Sequence, residues 1–165
     1  MKNKKYFLII LVVLVCILIT AFSITILNNR RDINNLISQL ESAINKHDIQ
    51  KIIELYPAYC RDKVAMCLSQ DKLDEFYNNV IIKDNENINI QIIKITNFDT
   101  SSCDEIMEQI LDDYNQNIII EDYQLVQIKY HENFSESYLQ VIKINGDYYL
   151  YFYGFLGEPI SYFQS

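Results

Sequence analysis

Several residue types are scarce in this chain of 165 residues, which holds three glycines, two prolines, two histidines and no tryptophan. Disordered and linker-like chains are rich in glycine and proline, so this composition argues against both. The two histidines, His47 and His131, are far apart in sequence, and the four cysteines form no C-x-x-C pair. Zinc sites need clustered ligands of these types. The sequence therefore predicts no metal site, no cofactor and no catalytic residue.

Charge is missing altogether from residues 6–27, and three lysines lie just before that run. A helix of this length spans roughly 33 Å, which exceeds the hydrocarbon core of a bilayer at about 30 Å. Lysines flanking a span favour the cytoplasmic side. We therefore predict a single-pass protein of the cell membrane with three parts: a cytoplasmic stub at residues 1–5, a transmembrane anchor at residues 6–27, and an extracytoplasmic domain at residues 28–165.

Two other kinds of segment resemble such an anchor. A signal peptide could be cleaved after Ser23, because Ala21 and Ser23 are small at the positions that a signal peptidase inspects. The apolar run continues past that point, however, and is longer than a usual signal core. A lipoprotein signal would attach its lipid to Cys16. Such a signal requires a small residue just before the cysteine, whereas this chain has the bulky Val15 there. The length of the run favours the uncleaved anchor.

Acidic residues are absent before Asp32, and all 22 of them lie from there onward. The predicted extracytoplasmic domain also contains 11 basic residues, so residues 28–165 carry a formal charge of −11. A surface of this sign repels phosphate backbones, so nucleic acid is not an expected partner. Solubility alone also explains an acidic surface.

Three cysteines, Cys60, Cys67 and Cys103, fall in the predicted extracytoplasmic domain, where disulfides are permitted. An odd number allows at most one bridge within the chain. On one continuous helix Cys60 and Cys67 would lie about 10 Å apart, which is too far for a disulfide bond. A bond between them therefore requires a break in the helix. Without such a break, any disulfide within the domain must include Cys103. The alternative is that all three are small buried hydrophobic residues.

Apolar residues recur at helical spacing in four stretches of the predicted domain: residues 31–45, 49–56, 73–81 and 106–114. Asp48 has the position and chemistry of an N-cap for the second stretch, and Pro57 ends it. Ser102 and Glu105 form a capping box ahead of the fourth stretch. The pattern therefore predicts a group of helices followed later by one well-marked helix.

Runs of apolar and aromatic residues, alternating with polar ones in the earlier runs, predict four strands: residues 88–95, 119–130, 138–144 and 148–155. A change of face at Ile92–Ile93 fits a bulge, and Asn145-Gly146 is typical of a tight hairpin turn. The last strand is apolar on both faces, so we expect it to be central or covered by helices. This order of elements indicates an α+β domain whose sheet packs on helices.

Two short tracts add a family resemblance. Residues 43–48, Ala-Ile-Asn-Lys-His-Asp, fit a helical start of the form A-x-x-x-x-D. Residues 142–150, Ile-Lys-Ile-Asn-Gly-Asp-Tyr-Tyr-Leu, fit a final hairpin with Tyr148 in place of a tryptophan. Together with the order of elements, these tracts resemble the nuclear-transport-factor-like superfamily of cystatin-like α+β cones, in particular its small membrane-anchored bacterial envelope members. The resemblance covers roughly residues 33–156. The resemblance implies helices on a curved, mainly antiparallel four-stranded sheet that encloses a pocket; its motifs are structural and carry over no catalytic residue.

Tyrosine is the one enriched residue type in the predicted sheet. A tyrosine combines a large apolar body with a phenol that can stay hydrated, which suits binding surfaces. The high strand propensity of tyrosine explains the enrichment equally well. If it is functional, the candidate binding residues are Tyr123, Tyr130, Tyr138, Tyr149, Tyr151 and Tyr153.

These observations predict a non-enzymatic, membrane-anchored extracytoplasmic domain that binds or assembles through the concave aromatic face of its sheet. Its partner would be an envelope protein, a small hydrophobic ligand or a second copy of the chain. The alternative implied by the resemblance is an isomerase-like or dehydratase-like enzyme of the same fold that acts on a small hydrophobic substrate. The two differ in whether ionisable groups converge in a closed pocket.

Overall fold

The computed structural model describes residues 2–80, 87–130 and 136–151, and the chain divides into two compact units, residues 1–34 and 35–165. Helix α1, Lys2–Asn45, forms the first unit and continues into the second. One stretch of it, Ile10–Asn45, is long and apolar enough to cross a membrane, judged by length and composition. Large apolar side chains between residues 10 and 27 are exposed.

Within the described residues, the second unit contains the last turns of α1, four further helices and one 3₁₀ turn at Ala58–Cys60. The helices are α2 (Ile49–Glu54), α3 (Arg61–Cys67), α4 (Gln70–Val80) and α5 (Thr100–Tyr114). The carboxylate of Asp48 accepts a hydrogen bond from the Lys51 N–H at 3.1 Å, which confirms the predicted N-cap of α2. The apolar stripe of α1 in this unit is buried at Leu36, Ile37, Leu40 and Ile44.

Four strands form one antiparallel sheet in the order β1-β2-β3-β4: β1 (Gln91–Asn97), β2 (Asp122–Lys129), β3 (Ser137–Ile144) and β4 (Asp147–Tyr151). The pairing of β1 with β2 shifts register between Ile92 and Lys94, which confirms the predicted bulge. Asn145 and Gly146 both have positive φ, 52° and 88°, as a two-residue hairpin turn requires. The α+β class and the four-stranded sheet are therefore confirmed, whereas the curvature of the sheet stays a prediction.

Both faces of the sheet are apolar. The register places one set of buried residues on the first face: Val126, Ile128, Leu139, Val141 and Leu150. On the second face, Tyr123 and Ile142 form a cluster with Cys103, Ile106 and Ile110 of α5. Helix α5 therefore covers much of the second face.

Strand β4 lies at an edge of the described sheet rather than at its centre, but it is covered as expected. Its Leu150 N–H donates a hydrogen bond to the Leu55 carbonyl at 2.9 Å. Tyr148 and Leu150 are buried on one face, while Tyr149 and Tyr151 pack against the α5 cluster on the other. The remainder of the predicted strand, residues 152–155, lies outside the described residues.

Two local expectations were wrong. The N-cap of α5 is Asp99, whose carboxylate accepts from the Ser102 N–H at 3.0 Å, so the helix begins before the expected capping box at Ser102 and Glu105. Strand β1 begins at Gln91 rather than at Ile88. The backbone N–H and C=O of Ile88 are both occupied by the Asn45 side chain, at 2.8 Å each, which removes this residue from the sheet ladder.

Candidate functional site

Four of the six candidate tyrosines share one face of the sheet. The register aligns Tyr123 with Ile142 and Tyr149, and it places Tyr138 and Tyr151 on the same side. Tyr130, which follows β2, is only 2% exposed, and its ring meets Phe76 edge to face at 5.1 Å. The structure therefore separates Tyr130 from the other four. Tyr153 lies outside the described residues.

Helix α5 and its flanking loop cover much of this tyrosine face. Tyr123 belongs to the buried α5 cluster, and the ring of Phe98 stacks on it with 4.4 Å between centroids. Tyr149 and Tyr151 pack against the same cluster and remain half-buried. The centre of the face is therefore occupied by the protein itself, while its margin near Tyr151 borders a cavity.

That cavity, which we call the tyrosine crevice, has a volume of about 50 Å³ and is partly open. Its walls come from three parts of the chain, and its lining residues are Tyr56, Tyr59, Cys60, Val64, Gln109, Asp113, Tyr114 and Tyr151. Pockets for drug-sized ligands measure roughly 300–1,000 Å³. The tyrosine crevice can therefore hold the tip of a side chain or a few water molecules, but not a whole hydrophobic substrate.

Tyr59 is one of the lining residues of the crevice. Its hydroxyl oxygen is buried and has no hydrogen-bond partner among the residues that the structure describes. Its ring packs edge to face on Tyr114, with 5.0 Å between centroids. Burial, with Cys60 and Tyr151 nearby, raises the pKa of this phenol far above its usual value. Leaving such a hydroxyl unpaired costs about 1–3 kcal/mol.

Two other polar groups of the crevice are engaged. The Tyr151 hydroxyl donates to Gln109 Oε1 at 3.2 Å, and the Cys60 thiol donates to the Pro57 carbonyl at 3.3 Å. Burial raises the pKa of that thiol to about 11, so it stays protonated near neutral pH and is a poor nucleophile. At this position the crevice is therefore equipped for binding rather than for covalent chemistry.

Lys63 reaches the crevice from α3. Its ammonium nitrogen lies 3.9 Å from the centroid of the Tyr114 ring and 3.4 Å from the Asp113 carbonyl oxygen. This is the geometry of a cation–π contact. It ties α3 to the end of α5 across one wall of the crevice.

Arg61 fixes the chain that carries Tyr59. Its guanidinium donates to the carbonyl oxygens of Glu54, the last residue of α2, and of Tyr56, at 2.9 Å each. Pro57 then starts the 3₁₀ turn with φ −57°. Carbonyls at a helix end lack partners within the helix, so the arginine stabilises this turn and holds Tyr59 in place.

A second polar group lies on the first face of the sheet. The Asp122 carboxylate accepts from the Tyr148 hydroxyl at 2.6 Å and from Gln124 Nε2 at 2.5 Å. Gln124 is 3% exposed, and its Oε1 has no partner within the described part of the chain. These three side chains bond mainly to one another and therefore serve packing first.

Among the histidines, only His47 can be placed. It lies in the turn between α1 and α2 with φ 53°, and its Nδ1 is 2.7 Å from Asp74 Oδ1. The hydrogen bonds from His47 and Gln70 lower the pKa of Asp74. The pair is partly exposed and lies apart from the crevice lining. His131 falls outside the described residues.

All three cysteines of the predicted extracytoplasmic domain are free thiols in the structure. Cys60 and Cys103 are buried, whereas Cys67, at the end of α3, is exposed. In the described ranges no three His, Cys, Asp or Glu side chains come together in a way that could hold a metal ion.

Sequence reasoning identified Tyr151 but missed Tyr59, Tyr114 and Lys63. These residues lie on the 3₁₀ turn, α5 and α3, elements that are distant in sequence from β4. The tract Tyr56-Pro57-Ala58-Tyr59 was the available signal, because two aromatic residues flank a proline that must bend the chain.

No family profile, no curated protein and no solved structure matches this chain. The resemblance to the nuclear-transport-factor-like superfamily therefore stays a prediction. Function has to be argued from the site itself.

Proposed function

We propose that this chain is a single-pass membrane protein whose residues 28–165 form an extracytoplasmic, non-enzymatic binding domain. We place its binding site at the tyrosine crevice, at the margin of the predicted aromatic face. The observation that carries the proposal is the partly open crevice itself, whose lining includes four tyrosine side chains. A partner whose side chain entered the crevice would pack against these tyrosine rings.

The polar groups of the apolar stretch support the membrane part of the proposal. The hydroxyls of Thr20, Ser23 and Thr25 each donate to a carbonyl four residues earlier, at 2.8–3.1 Å. A bilayer supplies no hydrogen-bond partners, so side chains within it must bond to the protein itself. With the lysines at residues 2, 4 and 5, this favours a span with its N-terminus in the cytoplasm.

The size of the crevice supports binding of a partner over catalysis on a small molecule. A cavity of about 50 Å³ admits the end of a side chain, whereas enzymes usually surround most of their substrate. An envelope protein or a second copy of the chain fits this limit better than a free hydrophobic ligand. The isomerase-like or dehydratase-like alternative stays a prediction without a specific observation in its favour.

Site-specific photo-crosslinking in cells tests the binding site. A benzophenone amino acid replaces Gln109, an exposed lining residue, in the full-length chain, and Glu75 on α4 is the matched exposed control. We expect a discrete crosslinked product from position 109 and none from position 75. Equal products at both positions, or none at position 109, would refute binding at the crevice.

Thiol labelling of intact cells tests the topology. Cys67 is exposed, so a membrane-impermeant maleimide should label it if the domain faces outward, and Cys67→Ser should abolish that labelling. Labelling that requires prior lysis would place the domain in the cytoplasm and overturn this part of the proposal.

A further inference from the structure

Met107 of α5 makes an unusual contact with residues 115–121, which join α5 to β2 and which we call the Ile120 segment. Its Sδ atom accepts a hydrogen bond from the Ile120 N–H at 3.3 Å, although a thioether sulfur is a weak acceptor. We propose that Met107 is a modification site, at which two-electron oxidants such as hydrogen peroxide form a sulfoxide that releases the Ile120 segment from α5. This inference goes beyond the binding function proposed above and does not depend on it.

The Ile120 segment connects α5 to the hairpin of β3 and β4. Ile120 is 5% exposed and belongs to the α5 cluster, against which the Met107 side chain also packs. The next residue, Glu121, donates its N–H to the Lys143 carbonyl at 2.9 Å, and its carboxylate accepts from the Gly146 N–H at 3.0 Å. A displacement of Ile120 therefore reaches the end of β3 and the turn after it through one neighbouring residue.

The oxidation transfers one oxygen atom to the sulfur. A lone pair of Met107 Sδ attacks one oxygen of hydrogen peroxide, and the O–O bond breaks. The sulfur keeps that oxygen and loses two electrons, while the other oxygen takes the proton of the transferred one and leaves as water. The product, methionine sulfoxide, is polar and is reduced again by methionine sulfoxide reductases. Because Met107 is only half-buried, we expect peroxide to reach it in the folded chain.

The geometry at the sulfur explains why the sulfoxide breaks this contact. The Ile120 nitrogen is 3.3 Å from the sulfur, whereas an N–H···O bond needs about 2.7–3.2 Å between nitrogen and oxygen. An oxygen bonded to the sulfur and directed at this nitrogen would lie too close to it, so the Ile120 segment would have to move away. An oxygen directed elsewhere would place a polar group against the apolar α5 cluster. Both arrangements weaken the packing of the Ile120 segment.

Met66 provides a matched control within the same domain. The chain contains three methionines, of which the first is its N-terminal residue, so Met66 and Met107 are the two inside the chain. Met66 lies on α3 and is 85% exposed. Changes to such an exposed side chain usually affect stability little. We therefore expect Met66 to be oxidised first and without consequence, so that a structural response to peroxide belongs to Met107.

The test exposes the full-length chain in detergent micelles to hydrogen peroxide for increasing times. Peptide mass spectrometry measures the oxygen added at Met66 and at Met107, and amide hydrogen exchange is followed in the peptide that contains the Ile120 segment. Exchange in that peptide should become roughly two- to ten-fold faster once Met107 is oxidised, as expected for the loss of one backbone hydrogen bond. Samples oxidised at Met66 alone should exchange at the original rate.

Two variants assign the response to one methionine. Met66→Leu should keep the full response to peroxide. Met107→Leu should exchange faster before treatment, because the sulfur acceptor is gone, and should show no further change after it. Peroxide also oxidises thiols, but dithiothreitol alone reduces disulfides and sulfenic acids, whereas methionine sulfoxide needs its reductases. A response that dithiothreitol alone reverses, or that persists in Met107→Leu, would belong to the cysteines and refute the proposal.

Two further results would overturn the proposal. Oxidation of Met107 that occurs only in denaturant would show that peroxide does not reach this sulfur in the folded chain. Oxidation of Met107 without faster exchange in the Ile120 segment would show that the contact accommodates the sulfoxide. Neither result bears on the tyrosine crevice, which the crosslinking experiment tests separately.

Discussion

The hydroxyl of Tyr148 on β4 donates a 2.6 Å hydrogen bond to the carboxylate of Asp122 on β2. Strand β3 lies between these two strands, and the bond passes over its Lys143, whose ammonium is 5.2 Å from the Tyr148 ring centroid. The pair therefore joins three strands at one end of the sheet. It also contrasts with Tyr59, a phenol of the same domain whose oxygen is buried without a partner among the described residues.

Tyr148→Phe should destabilise the domain. It removes the donor to Asp122 and leaves the carboxylate with only Gln124 as its partner in this group. A lost hydrogen bond to a charged group costs about 1.5–3 kcal/mol. Urea unfolding of the full-length chain in micelles, followed by circular dichroism, measures the change. An unfolding midpoint equal to that of the parent chain would show that the bond contributes nothing.

Tyr59→Phe also replaces a tyrosine with phenylalanine, but it should not destabilise the domain. It deletes a buried hydroxyl that has no partner in the described structure while keeping the ring that packs on Tyr114. We expect the free energy of unfolding to stay equal or to rise by up to about 1 kcal/mol. The same urea experiment applies. A loss above about 1 kcal/mol would mean that this hydroxyl is bonded in the folded protein.

The sequence predicted those parts of the fold that depend only on residues close together in the chain. The helical spacing of residues 31–45, the Asp48 cap and the Asn145-Gly146 turn each depend on a few neighbouring residues, and all three are confirmed. The start of β1 could not be read in this way. Its bounds depend on Asn45, which lies 43 residues from Ile88 and takes both of its backbone groups.

The tyrosine crevice could likewise be predicted from the sequence only in part. Tyr151 was predictable from its strand, but Tyr59 and Tyr114 meet it only because α5 covers the sheet and the 3₁₀ turn lies against the end of α5. Such contacts depend on tertiary packing, which cannot be predicted from the periodicity of apolar residues. The unpaired hydroxyl is likewise visible only once its surroundings are known.

Asn45→Ala should be strongly destabilising. The side-chain amide of Asn45 donates to the Ile88 carbonyl and accepts from the Ile88 N–H, at 2.8 Å each, beside a residue that is 2% exposed. Alanine leaves both backbone groups unpaired, at a cost of about 1–3 kcal/mol for each group that water cannot reach. Asn45→Asp is the matched control, because it keeps the acceptor and loses the donor. Unfolding midpoints in the order parent, aspartate, alanine would support this reasoning; equal midpoints would contradict it.

The cysteines should react according to their burial. In the folded chain Cys67 is exposed while Cys60 and Cys103 are buried, and burial raises the pKa of both buried thiols. We therefore expect iodoacetamide to modify Cys67 first and the other two only after unfolding. Mass spectrometry of a Cys16→Ser variant, denatured without reductant, should count three modified thiols. A count of one would reveal a disulfide and contradict the free state.

Alkaline pH should destabilise the domain through Tyr59 and Tyr130. Burial raises the pKa of both phenols well above the ordinary value of 10.0, since the phenolate is disfavoured in the folded state. Their contribution to stability is therefore complete below pH 10 and is lost as the pH rises from there towards the raised pKa values. Phenolate absorbance should show a delayed class of tyrosines that ionises together with the loss of helical circular dichroism. Tyr59→Phe and Tyr130→Phe should each reduce the amplitude of that class. Ionisation of every tyrosine in one step near pH 10, with the fold intact, would show that neither phenol is buried as the structure has it.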